Sequence, residues 1–359
     1  MTEREPHLKT LTKGVVHALA AAALFGASTP FAKLLVGTVD PVLLAGLLYL
    51  GSGCGLFVWR WIGTRGRRNG AAEAPLRRGD LPWLAGAVLF GGVIAPILLM
   101  TGLTRTPAST ASLLLNAEGV LTALLAWFVF KENFDRRIAL GMAAITAGGV
   151  LLSWEGGLAA GTLWGPLAVT GACLAWAIDN NLTRNVSAGD PVQIAAIKGL
   201  VAGTVNVAFA LARGAEVPGV GTVAACGVVG LAGYGVSLTL FVLALRSLGT
   251  ARTGAYFSVA PFVGAAISML VLGERPTVAF SVAAGLMGVG VWLHLTERHV
   301  HEHDHEAMSH DHAHVHDEHH QHAHGPHDPT GEPHSHPHQH QPMRHAHPHY
   351  PDIHHRHEH

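Results

Sequence analysis

Ionisable side chains are scarce in the apolar runs of this 359-residue chain, so the few that occur there are the first candidates for chemistry. A charge near the bilayer centre costs a few kcal/mol on insertion scales, so such groups face a bundle interior or water. Glu118, with Asn116 two residues earlier, falls near the middle of an apolar segment. A carboxylate so placed suits proton coupling or a cationic group of a substrate. The alternative is a protonated glutamate bonded to a neighbouring helix. A second cluster is Asp179, Asn180, Asn181, Thr183 and Arg184. Asp179 with Thr183, and Asn180 with Arg184, have the i,i+4 spacing that shares a helix face. They suit a cavity wall or inner gate, with Asp179 near Arg184 or Lys198, or they cap the helix at headgroup level. Lys33 either snorkels to the outer interface or faces the cavity. Asn206 and Tyr234 are further cavity candidates, and Trp176 and Tyr256 line a cavity or pack.

The other chemistry-bearing group lies at the C-terminus. Residues 297–359 hold 24 of the 27 histidines. The H-x-H alternation through His301, His303, His305, His310, His312, His314, His316, His319 and His320 lets adjacent imidazoles reach one ion. Imidazole ligands favour Cu²⁺, then Zn²⁺ and Ni²⁺, with Co²⁺ below them. Pure metal handling is one role. A charge that grows near pH 6 and engages an anionic leaflet is another, and a repeat without function is the third. The segment has almost no apolar residues to bury and is expected to be disordered without a ligand.

The elements that position these residues are membrane helices. The chain is 49% hydrophobic and only 13% charged, with mean hydropathy +0.31 despite the polar tail. A span needs about 20 apolar residues, and ten segments qualify: 14–36, 41–61, 81–103, 107–130, 137–154, 161–183, 191–212, 219–246, 252–272 and 278–296. The first has no evident cleavage site and reads as a retained helix, after a polar N-terminus over residues 1–13. Lys and Arg crowd alternate connections, from Arg4, Lys9 and Lys13 to the arginines between segments 2 and 3 and on to Arg298. The positive-inside rule then puts both termini, and so the tail, in the cytoplasm of a bacterial-type inner membrane. Cys54, Cys173 and Cys226 lie far apart in apolar runs and read as small buried packing residues. The pairs Gly51/Gly55 and Gly199/Gly203 point to close helix packing.

An internal repeat organises the ten segments. The stretch from Thr106 through Glu132 and the stretch from Gly249 through Glu274 share one order: small residues, an apolar run, a glutamate, another apolar helix. LFGASTPFAK, ending at Lys33, echoes LAWAIDNNLTR, ending at Arg184. Residues 14–154 and 161–296 are therefore two five-helix copies. An odd number of spans inserts the second copy upside down, the arrangement of many secondary transporters. In the repeat register Glu118 faces Ala260 and Asn116 faces Ser258, so Glu118 is not a duplicated scaffold feature. Glu132 and Glu274, by contrast, are expected to be scaffold.

The five-plus-five repeat, the pairs Phe25-Gly26 and Trp176-Ala177, and the glutamates in KEN and GER resemble the EamA branch of the drug/metabolite transporter superfamily over residues 14–296. That resemblance implies a central cavity opening alternately to each side, and export of a small metabolite or drug-like solute. The tail is not part of the family pattern.

The expectation is an all-α membrane protein of two inverted five-helix repeats with a disordered tail, acting as a secondary exporter whose tail binds Ni, Zn, Co or Cu. Alternatives are a divalent-metal efflux transporter and a membrane-anchored metal sensor or store. Helical H-x-x-x-D pairs deep in the membrane are absent, which counts against a metal permease. No nucleophile–base set, phosphate loop or cofactor motif points to an enzyme or a required cofactor. The expected partners are the lipid bilayer, a small-molecule substrate and divalent metal ions, with no nucleic acid. A homodimer stays open.

Overall fold

The computed structural model describes residues 4–66, 78–130, 136–154, 160–184, 186, 190–241, 243–244, 253, 256–295, 300–305, 309–314, 334–339 and 343–348. In order, α1 is Arg4–Val36, α2 Pro41–Gly66 and α3 Leu81–Leu103. Then come α4 at 108–130, α5 Arg136–Trp154, α6 Ala160–Arg184 and α7 Pro191–Ala212. The last are α8 Val220–Phe241, α9 Ala260–Leu272 and α10 Val278–Leu295. Five of these (α1 from Lys13, α2 to Ile62, α3, α7 from Val192, and α8) are long and apolar enough to cross a membrane. Within α5, α9 and α10 the apolar stretches are shorter.

Large apolar side chains such as Val220, Leu270 and Val278 are mostly exposed. In water that surface would drive association; against acyl chains it is the favourable one. Trp59, Trp61 and Trp83 are exposed around the α2–α3 connection, and Trp154 and Trp164 around the α5–α6 connection. Tryptophan at helix ends suits headgroup-level anchoring. Cys54 is exposed as well, against the expectation that all three cysteines are buried; Cys173 and Cys226 are.

Helix starts follow from local chemistry. Asp40 Oδ1 accepts from the N–H groups of Val42 (2.9 Å) and Leu43 (3.0 Å), with Pro41 at the first helical position of α2. Asp190 Oδ1 does the same for Val192 (2.9 Å) and Gln193 (3.2 Å) ahead of α7. Both are N-caps that satisfy otherwise free donors. This Asp-Pro pair is a further copy of the repeat, and Asp190 also pairs with Arg60 of α2. Helices α2 and α7 cross in close contact: a Cβ on Gly199 would lie 2.6 Å from Gly53 N, and one on Gly203 2.6 Å from Leu50 N. Gly51 abuts Gly227 of α8. The glycine pairs thus pack helices within one chain.

Three helices depart from regular geometry, two of them in repeat register, and the interruption of the third has a near counterpart one residue off register before α9. Val88–Ile94 of α3 and Leu231–Val236 of α8 are π-helical. The register that matches Glu132 with Glu274 matches Gly91 with Gly233. Helix α4, expected to be continuous, divides into Ala108–Leu114 and Ala117–Phe130, with Asn116 N bonded to Leu113 O (3.0 Å). In the other repeat, Tyr256 and Phe257 are followed by a turn at Ser258 and Val259 before α9. One expected boundary shifts: α1 starts at Arg4, before the apolar stretch; the expected spans 219–246 and 252–272 lie partly outside the described residues.

The tail differs from the expected disorder where it is described. β1 (Val300–His305) pairs antiparallel with β4 (Met343–Pro348), and β2 (Ser309–His314) with β3 (His334–Gln339). Two-residue alternation without an apolar face supports extended pairing but nothing to pack it on, and a two-stranded ribbon alone is marginal in water. His316, His319 and His320 lie outside the described residues.

Candidate functional site

The chemistry-bearing residues converge where α6 meets the irregular parts of α3 and α4. The cause of the α3 irregularity is legible. Pro96 has no N–H, so the carbonyl of residue 92, four positions earlier, lacks its helical donor. The chain widens to a π-turn, in which Ala95 N bonds to Phe90 O. The freed carbonyls are then taken by side chains from three other helices. Gly91 O accepts from the Tyr49 hydroxyl of α2 (2.7 Å) and the Trp176 indole N–H of α6 (3.1 Å). Gly92 O accepts from the Asn206 amide of α7 (3.0 Å). Glycine is needed at 91 because a Cβ there would lie 2.7 Å from the Cβ of Asp179.

Asp179, buried, holds the ammonium of Lys198 on α7 with both carboxylate oxygens at 2.6 Å and accepts from Thr183 Oγ1 at 2.8 Å. Of the two expected partners, Lys198 is the one engaged; the Arg184 side chain lies outside the described set. A buried pair with both members hydrogen-bonded and neutralised is a form in which charge persists out of water.

One turn along α6 from Trp176, Asn180 donates to Glu118 Oε1 at 2.8 Å. Glu118 is half-buried and Asn180 exposed. Among the described residues Glu118 pairs with this neutral amide, whereas Asp179 is balanced by a cation. Asn116, also expected here, turns its amide to Leu113 O (2.9 Å) and Met287 Sδ (3.9 Å). It thereby stabilises the break in α4 that presents Glu118.

Aromatic rings border this polar centre. Phe25 of α1 meets Trp176 (centroids 6.4 Å), Tyr234 of α8 (6.0 Å) and Phe257 (5.5 Å), and Tyr49 meets Tyr234 (5.4 Å). The Phe25–Trp176 pair joins equivalent positions of the two repeats. Lys33 lies elsewhere: its ammonium donates to Leu103 O and to Thr106 O (2.9 Å) where α3 ends. The sequence expectations did not include Tyr49 or Gly91. The signal for Gly91 was the Gly-Gly pair shortly before Pro96; nothing separates Tyr49 from a packing tyrosine before the fold is known.

An apolar groove of about 630 Å³ between α4 and α5, lined by Val120, Leu124, Met142, Thr146, Val150 and Trp154, is separate from this centre. Among the described residues no three His, Cys, Asp or Glu side chains are grouped to hold a metal.

Comparison with known proteins agrees with the fold. The model of the EamA-like transporter family matches residues 12–154 and again 163–296. An uncharacterized transporter of Methanothermobacter thermautotrophicus is 31% identical over 291 residues, covering 77% of this chain and 83% of that protein. One crystal structure of a protein, 18% identical, superposes with a TM-score of 0.58 over 79% of this chain and 95% of its own. At that identity it bears on the fold alone.

Proposed function

The chain belongs to the EamA-like transporter family, within the drug/metabolite transporter superfamily, and from that premise we propose that it is a secondary exporter of a small metabolite or drug-like solute, coupled through Glu118. The observation that carries the reading is the contrast between two membrane carboxylates. Asp179 has a fixed cation in Lys198, whereas the described partner of Glu118 is the neutral, exposed Asn180. A carboxylate without a resident cation can be loaded in turn by a proton or by the cationic group of a substrate. The bond from Asn180 of α6 to Glu118 of α4 joins the two repeats, which supports this reading because inverted-repeat transporters bind substrate between their repeats. Both termini are assigned to the cytoplasm.

The tail is assigned a divalent-metal-binding role, with Ni²⁺, Zn²⁺, Co²⁺ or Cu²⁺ held by imidazoles such as His301, His303, His305, His310, His312 and His314. It buffers or regulates. Metal as the cargo is the weaker alternative, because the described part of the membrane domain groups no set of ligands for it.

The test is a solute screen in proteoliposomes with an imposed pH gradient. For any solute that moves, Glu118→Gln is expected to abolish gradient-driven flux while leaving the protein folded. Full gradient-driven flux in Glu118→Gln refutes the coupling role.

A further inference from the structure

Two charged side chains converge on the link between α3 and α4. Lys33 of α1 donates to the terminal carbonyl of α3 at Leu103 and to Thr106 O. The Glu274 carboxylate, just past α9, accepts from Ala108 N and Ser109 N, both at 2.8 Å, where α4 begins. Each charge complements the helix end it meets, a cation on free carbonyls and an anion on free N–H groups. Gly273, at φ 67°, ends α9 in a left-handed turn that leads into Glu274. Glu274 lies within electrostatic reach of Lys33. The Glu274 bonds cross from the second repeat to the first, so they must change when the repeats move against each other.

The same end of the molecule is tightly closed. A Cβ on Gly102 of α3 would lie 3.0 Å from Gly165 O, at the start of α6, and one on Gly165 would lie 3.2 Å from the backbone of Arg105. Asn180 is 15 residues further along α6, roughly 22 Å at the helical rise. There Asn180 is exposed and its partner Glu118 half-buried, whereas Asp179 is buried.

We propose that Lys33 and Glu274 form a latch that holds the face opposite the two termini shut, so that the structure is the state open toward the tail side. This rests on the transporter reading. Releasing the latch shifts the population toward the state open on the latch side.

Cys173, fully buried against Leu114 O, is a native reporter of the centre. In a Cys54→Ser/Cys226→Ser background, a membrane-impermeant maleimide is applied to intact cells and to everted vesicles. Glu274→Gln and Lys33→Gln are each expected to raise Cys173 labelling from the latch side about tenfold, the scale of losing charge-assisted hydrogen bonds. Arg275→Gln, the exposed neighbour, is expected to leave it unchanged. Equal labelling in Glu274→Gln and Arg275→Gln overturns the latch. So does a rise from both sides alike, which indicates general loosening. A variant that is not monodisperse in detergent is set aside, and the other latch variant decides. Labelling is read without flux: full gradient-driven flux in Glu118→Gln refutes the coupling reading alone, whereas absence of the labelling rise refutes the latch alone.

Discussion

Replacing Lys198 with methionine leaves Asp179 with its charge but without its cation. The carboxylate is then held by Thr183 alone, with the α3 backbone at Gly91 pressed against it. Both side chains of the pair are well under one-third exposed, at 14% and 8%, so solvent screening does little to soften the change. Removing one member of a buried pair costs about 3–5 kcal/mol, whereas Thr183→Val removes one hydrogen bond to a charged group, about 1.5–3 kcal/mol. Lys198→Met is therefore expected to be the more destabilising of the two. The double variant Asp179→Asn/Lys198→Met removes both charges and is expected to recover at least half of the loss. The assay is reversible unfolding of the purified protein in mixed micelles with increasing sodium dodecyl sulfate. If Lys198→Met costs no more than Thr183→Val, or if the double variant is worse than Lys198→Met by the full cost of a second lesion, the pair does not hold α6 to α7 as described.

Gly91→Ala is expected to push Asp179 from its seat and to disturb the Tyr49 and Trp176 bonds to Gly91 O, lowering the unfolding midpoint in the same assay; the midpoint of Gly119→Ala, where a Cβ meets open space, is expected to stay within error. Removing residues 299–359 is expected to abolish tight Ni²⁺ or Zn²⁺ binding measured by calorimetry while leaving the unfolding midpoint of the helical domain unchanged. Equal metal affinity in the truncated protein refutes the tail assignment.

Apolar length sufficed for the five helices long enough to cross a membrane, and the echo of Glu132 in Glu274 for the duplication, because burial in lipid and helix ends are local matters. The contact of Asp179 with Lys198 could be anticipated as one of two options, since both lie in apolar runs and each needs a partner. The bond between Asn180 and Glu118 could not: it joins residues 62 positions apart, and only the α4 break at Asn116 brings them together. That break had no signal in a continuous apolar segment. The end of α3 illustrates the same limit. Lys33 reads as an interfacial cation from its sequence position, but its hydrogen bonds to Leu103 O and Thr106 O depend on where a helix 70 residues away terminates. Expected disorder in the tail rested on composition alone, which says nothing of strand partners such as His303 and His345.

The two repeats share a scaffold and divide the chemistry. Gly91 of α3 gives way to Asp179, three residues past Trp176. In the other copy Gly233 of α8 gives way to Ser28, three residues past Phe25, with a Cβ there 2.5 Å from Ser28 Cβ. The backbone solution is thus the same: a π-turn with a glycine that lets α1 or α6 approach. The side chain admitted differs, a serine bonded to its own helix at Phe25 O (2.6 Å) in one case and an aspartate paired with Lys198 in the other. The breaks in α4 and before α9 repeat the theme, since Asn116 and Glu118 stand where the second copy has Ser258 and Ala260. An inverted pair of repeats needs like geometry on both sides to exchange conformations, and the glycines and breaks supply it. Binding a solute needs no such symmetry. A carboxylate at both positions would place two like charges near the contact of Phe25 with Trp176, where each disfavours the other's ionised form. A single Glu118 avoids that repulsion, and on the proposed reading it is the one carboxylate left to be loaded.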